Sequence, residues 1–402
     1  MITEKFAVPS RFKTTGLVLL VLGILTLIGG FISLVGGSSP DPARFWIGLL
    51  QNSVYFLFIV IASIFIQAAA GLAHGAWIVA FRRVPEAIGA TTWIFGLITL
   101  VVLFSILYLV PDKNLIYHWI DPGNDKIVQG KTAFLNRGLY VAFSIVTVGL
   151  WSWFGIKFRN NSIQQQTAPR NSTKLYWKNV ALSGAFLFVF ALTLMSTTPW
   201  LWLMSINAHW YSTMYSWYVF ASSFVAGMAL ILLFVVYLKN QGKLQLVNKE
   251  HIHDLGKYMF AFSIFWTYLW FSQFMLIWYS NISEETAYFI LRAQGPYSVI
   301  FYLALVINFV LPILILMSRP SKRNYFLVVF IAIAIIFGHW LDFYIMAVPE
   351  VLLENWTLGW FELGIPLGFI GILMLSVSNI LAKDNLVPVN NVLLKETINH
   401  VS

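Results

Sequence analysis

Tyr258 to Glu285 reads YMFAFSIFWTYLWFSQFMLIWYSNISEE. Half of the residues from Tyr258 to Tyr279 are aromatic, and the stretch ends in two adjacent carboxylates, Glu284 and Glu285. At roughly 20 apolar residues it is long enough to cross a bilayer as one helix. A lipid-facing span is mostly Leu, Ile and Val. This one carries Phe262, Phe265, Trp266, Tyr268, Trp270, Phe271, Phe274 and Trp278 through its middle, with Ser263, Thr267, Ser272 and Gln273 between them. Aromatics ordinarily gather at membrane interfaces, so a belt through the centre predicts protein neighbours rather than lipid. At about 100° per residue Trp266, Trp270, Gln273 and Ile277 share a face, which Glu284 joins if the helix persists that far. Two readings are open: a stacked aromatic wall leading to an acid at one mouth, or a packed seam between helices.

The remainder of the chain has the same character. Of its 402 residues 59% are hydrophobic and only 10% charged, with a mean hydropathy of +0.77. A water-facing surface needs more charge than that, so the fold class is an all-α polytopic membrane protein. There is no cysteine, which excludes disulfides, thiolate-held iron–sulfur clusters and a cysteine nucleophile. The net charge of +9 lies in short loops, where the positive-inside rule accounts for it, and implies no nucleic-acid partner. Lys5, Arg11 and Lys13 before an apolar run resemble a signal peptide. The run is about 20 residues long and lacks a small-x-small cleavage site, so a retained first helix is expected.

Ten apolar segments emerge, at about 15–36, 50–81, 87–110, 133–157, 177–200, 212–238, 256–280, 298–317, 324–347 and 359–381. With the N-terminus inside, 19 of the 25 Lys and Arg residues fall on the inner side. The outer six are Arg44, Lys113, Lys126, Lys131, Arg137 and Arg292. A wrong helix count would scramble this alternation, so it supports ten spans with both termini inside. The outer loops hold Asp41, Asp112, Asp121, Asp125, Glu284, Glu285, Glu350, Glu354 and Glu362, with Trp200, Trp202, Trp210, Trp356 and Trp360 at the interface. The outer loop 199–211, PWLWLMSINAHWY, reads as a surface that lies on lipid or docks a partner, and 351–361 reads the same way. The inner segment 159–174, RNNSIQQQTAPRNSTK, reads as a polar mobile linker. No loop or tail is large enough to build a separate core, so residues 1–402 form a single membrane domain.

Ionisable groups inside spans cost roughly 2.5–3.5 kcal/mol each for Asp, Lys or Arg at mid-membrane, and they mark the candidate chemistry. The ninth segment contains Gly338-His339-Trp340-Leu341-Asp342. His339 and Asp342 stand at i and i+3, share a face, and lie in the outer half of the membrane when counted from Arg323. A carboxylate beside an imidazole suits a proton relay or a quinone-ring hydrogen-bonding site; a polar clamp between helices is the plainer alternative. His74 lies between Gly71 and Gly75, expected in the inner half of the second span at a tight helix crossing. It is a packing residue or part of an inner proton path. Glu362 is expected at the outer interface, and Glu284 and Glu285 either gate protons or end a solvated helix.

Familiar machines are excluded. A cytochrome b core needs facing histidine pairs, and only His74 and His339 are expected inside the membrane, at different depths. There is no P-loop, no G-x-G-x-x-G opening a helix and no H-E-x-x-H. The chain is expected to bind no metal or redox cofactor and to hold no catalytic residue of its own. It then fits either a subunit of a larger redox assembly or a secondary transporter.

Between these, the opening stretch favours the first. His253-Asp254, then FSIFWTYLWFSQ at 262–273 and LIWYSNISEET at 276–286, resemble the alternative complex III family. The likeness is to its second NrfD/polysulfide-reductase-like membrane subunit, ActF-type, also called quinone-binding subunit 2 of quinol:cytochrome c oxidoreductase. The family pattern runs close to FSxFWxYxxFSQxxLIWYANIPEET. The resemblance is densest over about 35 residues. Ser280 replaces Ala and Ser283 replaces Pro, which loosens the turn into Glu284.

The resemblance implies a multi-pass subunit of a respiratory complex in the bacterial cytoplasmic membrane that oxidises menaquinol. Haem c and iron–sulfur clusters belong to partner subunits on the outer side, alongside a paralogous NrfD-like membrane subunit. It also implies two four-helix bundles, helices 2–5 (about 50–200) and 6–9 (about 212–347), with helices 1 and 10 peripheral and Tyr258–Glu285 as the second bundle's central helix. On that plan the proton-path candidates are His339, Asp342, Glu284 and Glu285 on the outer half and His74 on the inner. The alternative of direct menaquinol binding would use Trp266, Trp270 and Gln273 as ring or tail contacts. A transporter would instead show broken helices in repeated positions, for which Pro312 and Pro366 are the candidates.

Overall fold

The computed structural model describes residues 4–38, 40–169, 172–355 and 357–400; Arg170 and Trp356 lie outside them. Among the described residues ten helices are long and apolar enough to cross a membrane. They are α1 Ser10–Val35, α2 Pro42–Leu72, α3 Arg83–Tyr108, α4 Arg137–Thr167, α5 Lys174–Ile206, α6 Met214–Asn240, α7 Lys249–Ser280, α8 Ser298–Leu316, α9 Tyr325–Leu352 and α10 Trp360–Leu381. No β-strand occurs among the described residues. Polar side chains fix several helix starts: Asp41 caps α2, Asn136 caps α4, Asn248 caps α7 and Asn324 caps α9.

Helices α2–α5 close one bundle and α6–α9 a second, joined where α2 packs on α6 and α9. α1 and α10 pair at the edge and reach the rest through α2 and the inner end of α3. The α1–α10 crossing is a backbone contact. A Cβ on Gly23 would come 2.2 Å from the Cα of Gly368, and the buried residues of α1 from Ser10 to Gly30 are Gly16, Gly23 and Gly30. Small residues at this spacing let two spans approach closely.

Both termini meet at one end of the molecule. The Glu4 carboxylate accepts from the amides of Leu244 and Gln245 at 2.7 and 3.1 Å, and the Leu386 amide donates to the Glu4 carbonyl at 2.9 Å. His400 Nε2 meets Asp254 Oδ2 at 2.5 Å. Sequence expectation assigns this end to the inner side through its surplus of Lys and Arg.

Four expectations change on inspection. The centre of the molecule is α6 and α2, with 94% and 83% of their apolar windows buried, against 28% for α7. The aromatic helix is therefore peripheral. Trp266, Gln273 and Ile277 face inward, while Tyr268, Phe271, Trp278 and Tyr279 are exposed along its outer side. The second span ends at Leu72, because the following apolar run Ala76–Phe81 is a short 3₁₀ segment covered by the C-terminal helix Leu394–Ile398 rather than by lipid. The segment expected to be a linker is helix up to Thr167; Asn161 donates to Asn179 at 2.9 Å, and Ser162 takes a bond from Arg83 at 3.1 Å. In the outer stretch 199–211, Leu201, Trp202 and Trp210 are buried, and Trp202 Nε1 donates to Ser144 at 2.9 Å. Trp202 packs into the first bundle and Trp210 against Tyr215 and Tyr288 of the second, instead of lying on a surface.

Two prolines shape the helices near the site. A proline ring clashes with the carbonyl four residues earlier, and the turns before Pro199 and Pro312 widen into π-helical turns at Thr193–Thr197 and Val306–Val310. The second of these places Asn308 against α9.

Candidate functional site

The His339-x-x-Asp342 pair lies on α9 with both side chains fully enclosed, at 0% and 2% exposure. Their shared helical face points at α6 and α7. Asp342 Oδ1 accepts a short hydrogen bond from the Tyr218 hydroxyl. Oδ2 accepts from Ser222 Oγ at 2.8 Å and from Trp266 Nε1 at 2.9 Å. A lone carboxylate in this setting would carry a desolvation penalty of several kcal/mol. Three donors offset it, each bond to a charged group contributing about 1.5–3 kcal/mol. Tyr218 and Ser222 are one turn apart on α6, so one face of that helix supplies two of the three.

His339 reaches Asp342 chiefly through Ser222. Its Nδ1 is 2.9 Å from Ser222 Oγ and 3.8 Å from Asp342 Oδ2. A serine has one proton to give. With that proton on Asp342, His339 Nδ1–H donates to the serine oxygen, which leaves Nε2 bare. Nε2 has no hydrogen-bond partner among the described residues. The imidazole also stands edge-on to the Trp266 indole, with ring centroids 5.4 Å apart at 83°. The order Nδ1–H···Oγ–H···Oδ2 lets a proton pass from imidazole to carboxylate without moving a heavy atom.

α2 braces this site across the bundle boundary. Trp340 Nε1 donates to Asn52 Oδ1 at 2.9 Å, Gln51 Nε2 donates to the Trp340 carbonyl at 3.2 Å, and the Tyr55 hydroxyl donates to the Ile336 carbonyl at 2.6 Å. These three bonds fix the rotation of α9 on either side of His339. The adjacent amides Gln51-Asn52, set in an apolar span, were the sequence signal for this brace.

Toward the outer end of α9 lies a buried guanidinium that the sequence reading left among the loop cations. Arg292, on the short helix Ser283–Ala293, is 0% exposed. It donates to Glu350 Oε1 at 2.7 Å, to the Tyr288 carbonyl at 2.8 Å and to the Ile345 carbonyl at 2.9 Å. The guanidinium lies 3.4 Å over the Tyr288 ring, which stacks on Trp210 at 4.0 Å. Burial pushes the Tyr288 phenol up to about 12. Burial also pulls at Arg292, but Tyr288 and Glu350 outweigh it and hold its pKa above the ordinary value. Tyr215, whose hydroxyl has no partner among the described residues, packs edge-on against Trp210.

The other candidates fall elsewhere. Helix α7 stops at Asn281 in the left-handed conformation (φ 48°), so Glu284 does not continue the Trp266 face. Glu284 is exposed at the start of the short helix, where its own amide and the Ser283 hydroxyl hold its carboxyl below the usual range. Glu285 is half-buried beside it, and no bond links either acid to His339 or Asp342 among the described residues. His74 sits in the turn beyond α2 (φ 50°), exposed, with Nδ1 2.5 Å from the Tyr176 hydroxyl. Glu362 forms a two-pronged ion pair with Arg44 at 2.6 and 2.7 Å, which ties α10 to α2. Trp270 is half-buried and stacks on Phe274, while the Gln273 amide nitrogen is buried without a partner.

Sequence reasoning also passed over Glu86. It is 1% exposed and paired with Arg82 at 2.8 Å and Arg83 at 2.7 Å near the inner end of α3. The spacing RRxxE was its signal. No cluster of three or more His, Cys, Asp or Glu side chains is placed to hold a metal among the described residues. No family model matches the chain, and a search of curated proteins returns no relative.

Proposed function

We propose that this integral membrane protein is a proton-handling subunit, without a redox centre of its own, of a quinol:cytochrome c oxidoreductase complex in the bacterial cytoplasmic membrane. The observation that carries the proton role is the enclosed carboxylate of Asp342, joined to His339 through Ser222 and to Tyr218 and Trp266. Such a group is costly in a membrane core and is retained where charge must move. Membership of the complex rests on the Phe262–Thr286 motif. Menaquinol would be oxidised by the assembly, with haem c and iron–sulfur clusters in partner subunits.

On this reading the proton chain is His339, Ser222 and Asp342, and Glu284 and Glu285 stand aside from it, bonded to none of the three among the described residues. Two measurements test it. The tagged chain should bring haem c and iron–sulfur subunits with it through purification. Asp342→Asn should then leave that assembly intact and lower proton translocation per electron. Isolation of the chain alone, or unchanged translocation in the variant, overturns it.

Direct quinol binding at the aromatic wall has less support, because the Trp266 indole is committed to Asp342 and only Trp270 opens onto a groove, of about 400 Å³ between α7 and α8. The transporter reading fares no better. Pro312 follows a π-helical turn in α8, but Pro366 lies inside α10, outside both bundles, so the two do not mark corresponding positions of a repeat.

A further inference from the structure

Four buried polar atoms on three packed helices, α7, α8 and α9, have no hydrogen-bond partner among the described residues: Ser263 Oγ, Asn308 Oδ1, Asn308 Nδ2 and His339 Nε2. All three residues are 0% exposed. Helix packing brings the three residues toward one seam. Asn308 sits in the π-helical turn Val306–Val310, which packs on both α7 and α9. Its carboxamide lies against Gly338, the residue before His339; a Cβ there would stand 2.2 Å from Asn308 Oδ1. Leu305 and Phe309 of α8 line a groove with Ile264 and Thr267 of α7, residues within one turn of Asn308 and of Ser263 respectively. His339 is drawn toward α7 by the Trp266 ring.

Buried amides, hydroxyls and imidazole nitrogens are almost always paired, by protein or by ordered water. A side-chain amide with both ends free is the strongest such anomaly here, and it falls in a π-helical turn, a feature frequent at functional sites. An amide cannot readily pass protons, but its donor and acceptor can together anchor water.

We propose that this seam is an internal water-binding site, in which Asn308 and Ser263 hold water that hydrogen-bonds His339 Nε2. That water delivers protons to the bare nitrogen of the His339–Ser222–Asp342 chain. The delivery step rests on the proton-handling reading; the water site does not.

A density map of the wild-type complex at about 2 Å resolution or better should show ordered water within hydrogen-bond distance of both Asn308 and His339 Nε2. A dry seam, with the Asn308 amide turned onto backbone, overturns the site whatever any variant does. In proteoliposomes supplied with quinol, Asn308→Leu, close in volume but unable to anchor water, should lower protons translocated per electron several-fold at an unchanged electron-transfer rate. Asn308→Asp should restore most of the loss. Normal translocation in Asn308→Leu alongside loss in Asp342→Asn overturns the delivery step while sparing the wider reading. Normal translocation in both variants overturns that reading and the delivery step with it, and the density alone then decides the water site.

Discussion

Trp266 Nε1 donates to Asp342 Oδ2 at 2.9 Å, joining two residues 76 positions apart in the chain. The aromatic helix is thus tied to the buried carboxylate by its own indole, and a peripheral helix contributes one side chain to the centre of the second bundle. Trp266→Phe would keep most of the ring and remove the donor. The lost bond to a charged acceptor should cost about 1.5–3 kcal/mol. Trp278→Phe, on the exposed side of the same helix, should stay within about 0.5 kcal/mol. Thermal unfolding of the two variants in one detergent separates them; equal losses would mean that the indole acts only by filling space.

The α1–α10 pair is held by backbone proximity. Gly23→Ala would place a methyl 2.2 Å from the Cα of Gly368 and 2.6 Å from its nitrogen, where neither helix can yield by a side-chain rotation. Such overpacking should cost about 1–3 kcal/mol. Gly184→Ala, where nothing lies within 4 Å, should be neutral or stabilising by up to about 1 kcal/mol through helix propensity. Protease accessibility of the N-terminal helix would rise in the first variant and not in the second.

How much of this was legible beforehand depends on the kind of signal. Hydropathy and the Lys/Arg alternation gave ten spans because both reflect a uniform solvent, the bilayer, acting along each helix. The His339–Asp342 pair was readable because its partners are local in sequence. Tyr218 and Ser222 were not, since a hydroxyl in an apolar helix costs little and their role appears only when α6 meets α9. Arg292 misled because a cation beside a loop is ordinarily solvated; burial came from Tyr288 and Glu350, 4 and 58 positions away. His74 was misplaced because the apolar run after it is buried by the chain's own tail, which hydropathy cannot tell from lipid. The aromatic belt misled in the same way, since composition does not say which rings face out.

Asp125 caps the short outer helix Lys126–Gln129, accepting from the Ile127 and Val128 amides at 3.0 and 3.2 Å, and pairs with His209 at 2.7 Å. The Val128 amide first, then His209 and the Ile127 amide, hold its carboxyl below the ordinary value. A carboxyl depressed in the folded state contributes stability that is present above its unfolded pKa, about 3.9, and lost as pH falls through the lower folded value. Amide hydrogen exchange at residues 126–129 should therefore accelerate only as the pH drops below about 4. Asp125→Asn, which caps without a charge, should abolish that dependence. Acceleration that begins well above that pH would show that the Asp125 carboxylate does not control it.

Arg292 makes the outer end of the second bundle a test of buried charge. Its guanidinium serves Glu350, two backbone carbonyls of α9 and the Tyr288 carbonyl at once. Glu350 in turn accepts from Asn207 at 2.8 Å, so the pair also anchors the loop between α5 and α6. Arg292→Met would leave a carboxylate with 10% side-chain exposure unpaired, a change of the kind that costs about 3–5 kcal/mol. Arg292→Lys keeps the charge but not the planar fork, so its loss should fall between that of Arg292→Met and none. Adding Glu350→Gln to Arg292→Met removes the uncompensated charge, keeps an acceptor for Asn207, and should recover a measurable part of the loss. A double variant no more stable than Arg292→Met would show that the guanidinium acts through the α9 carbonyls and the Tyr288 ring, and that its ion pair contributes little.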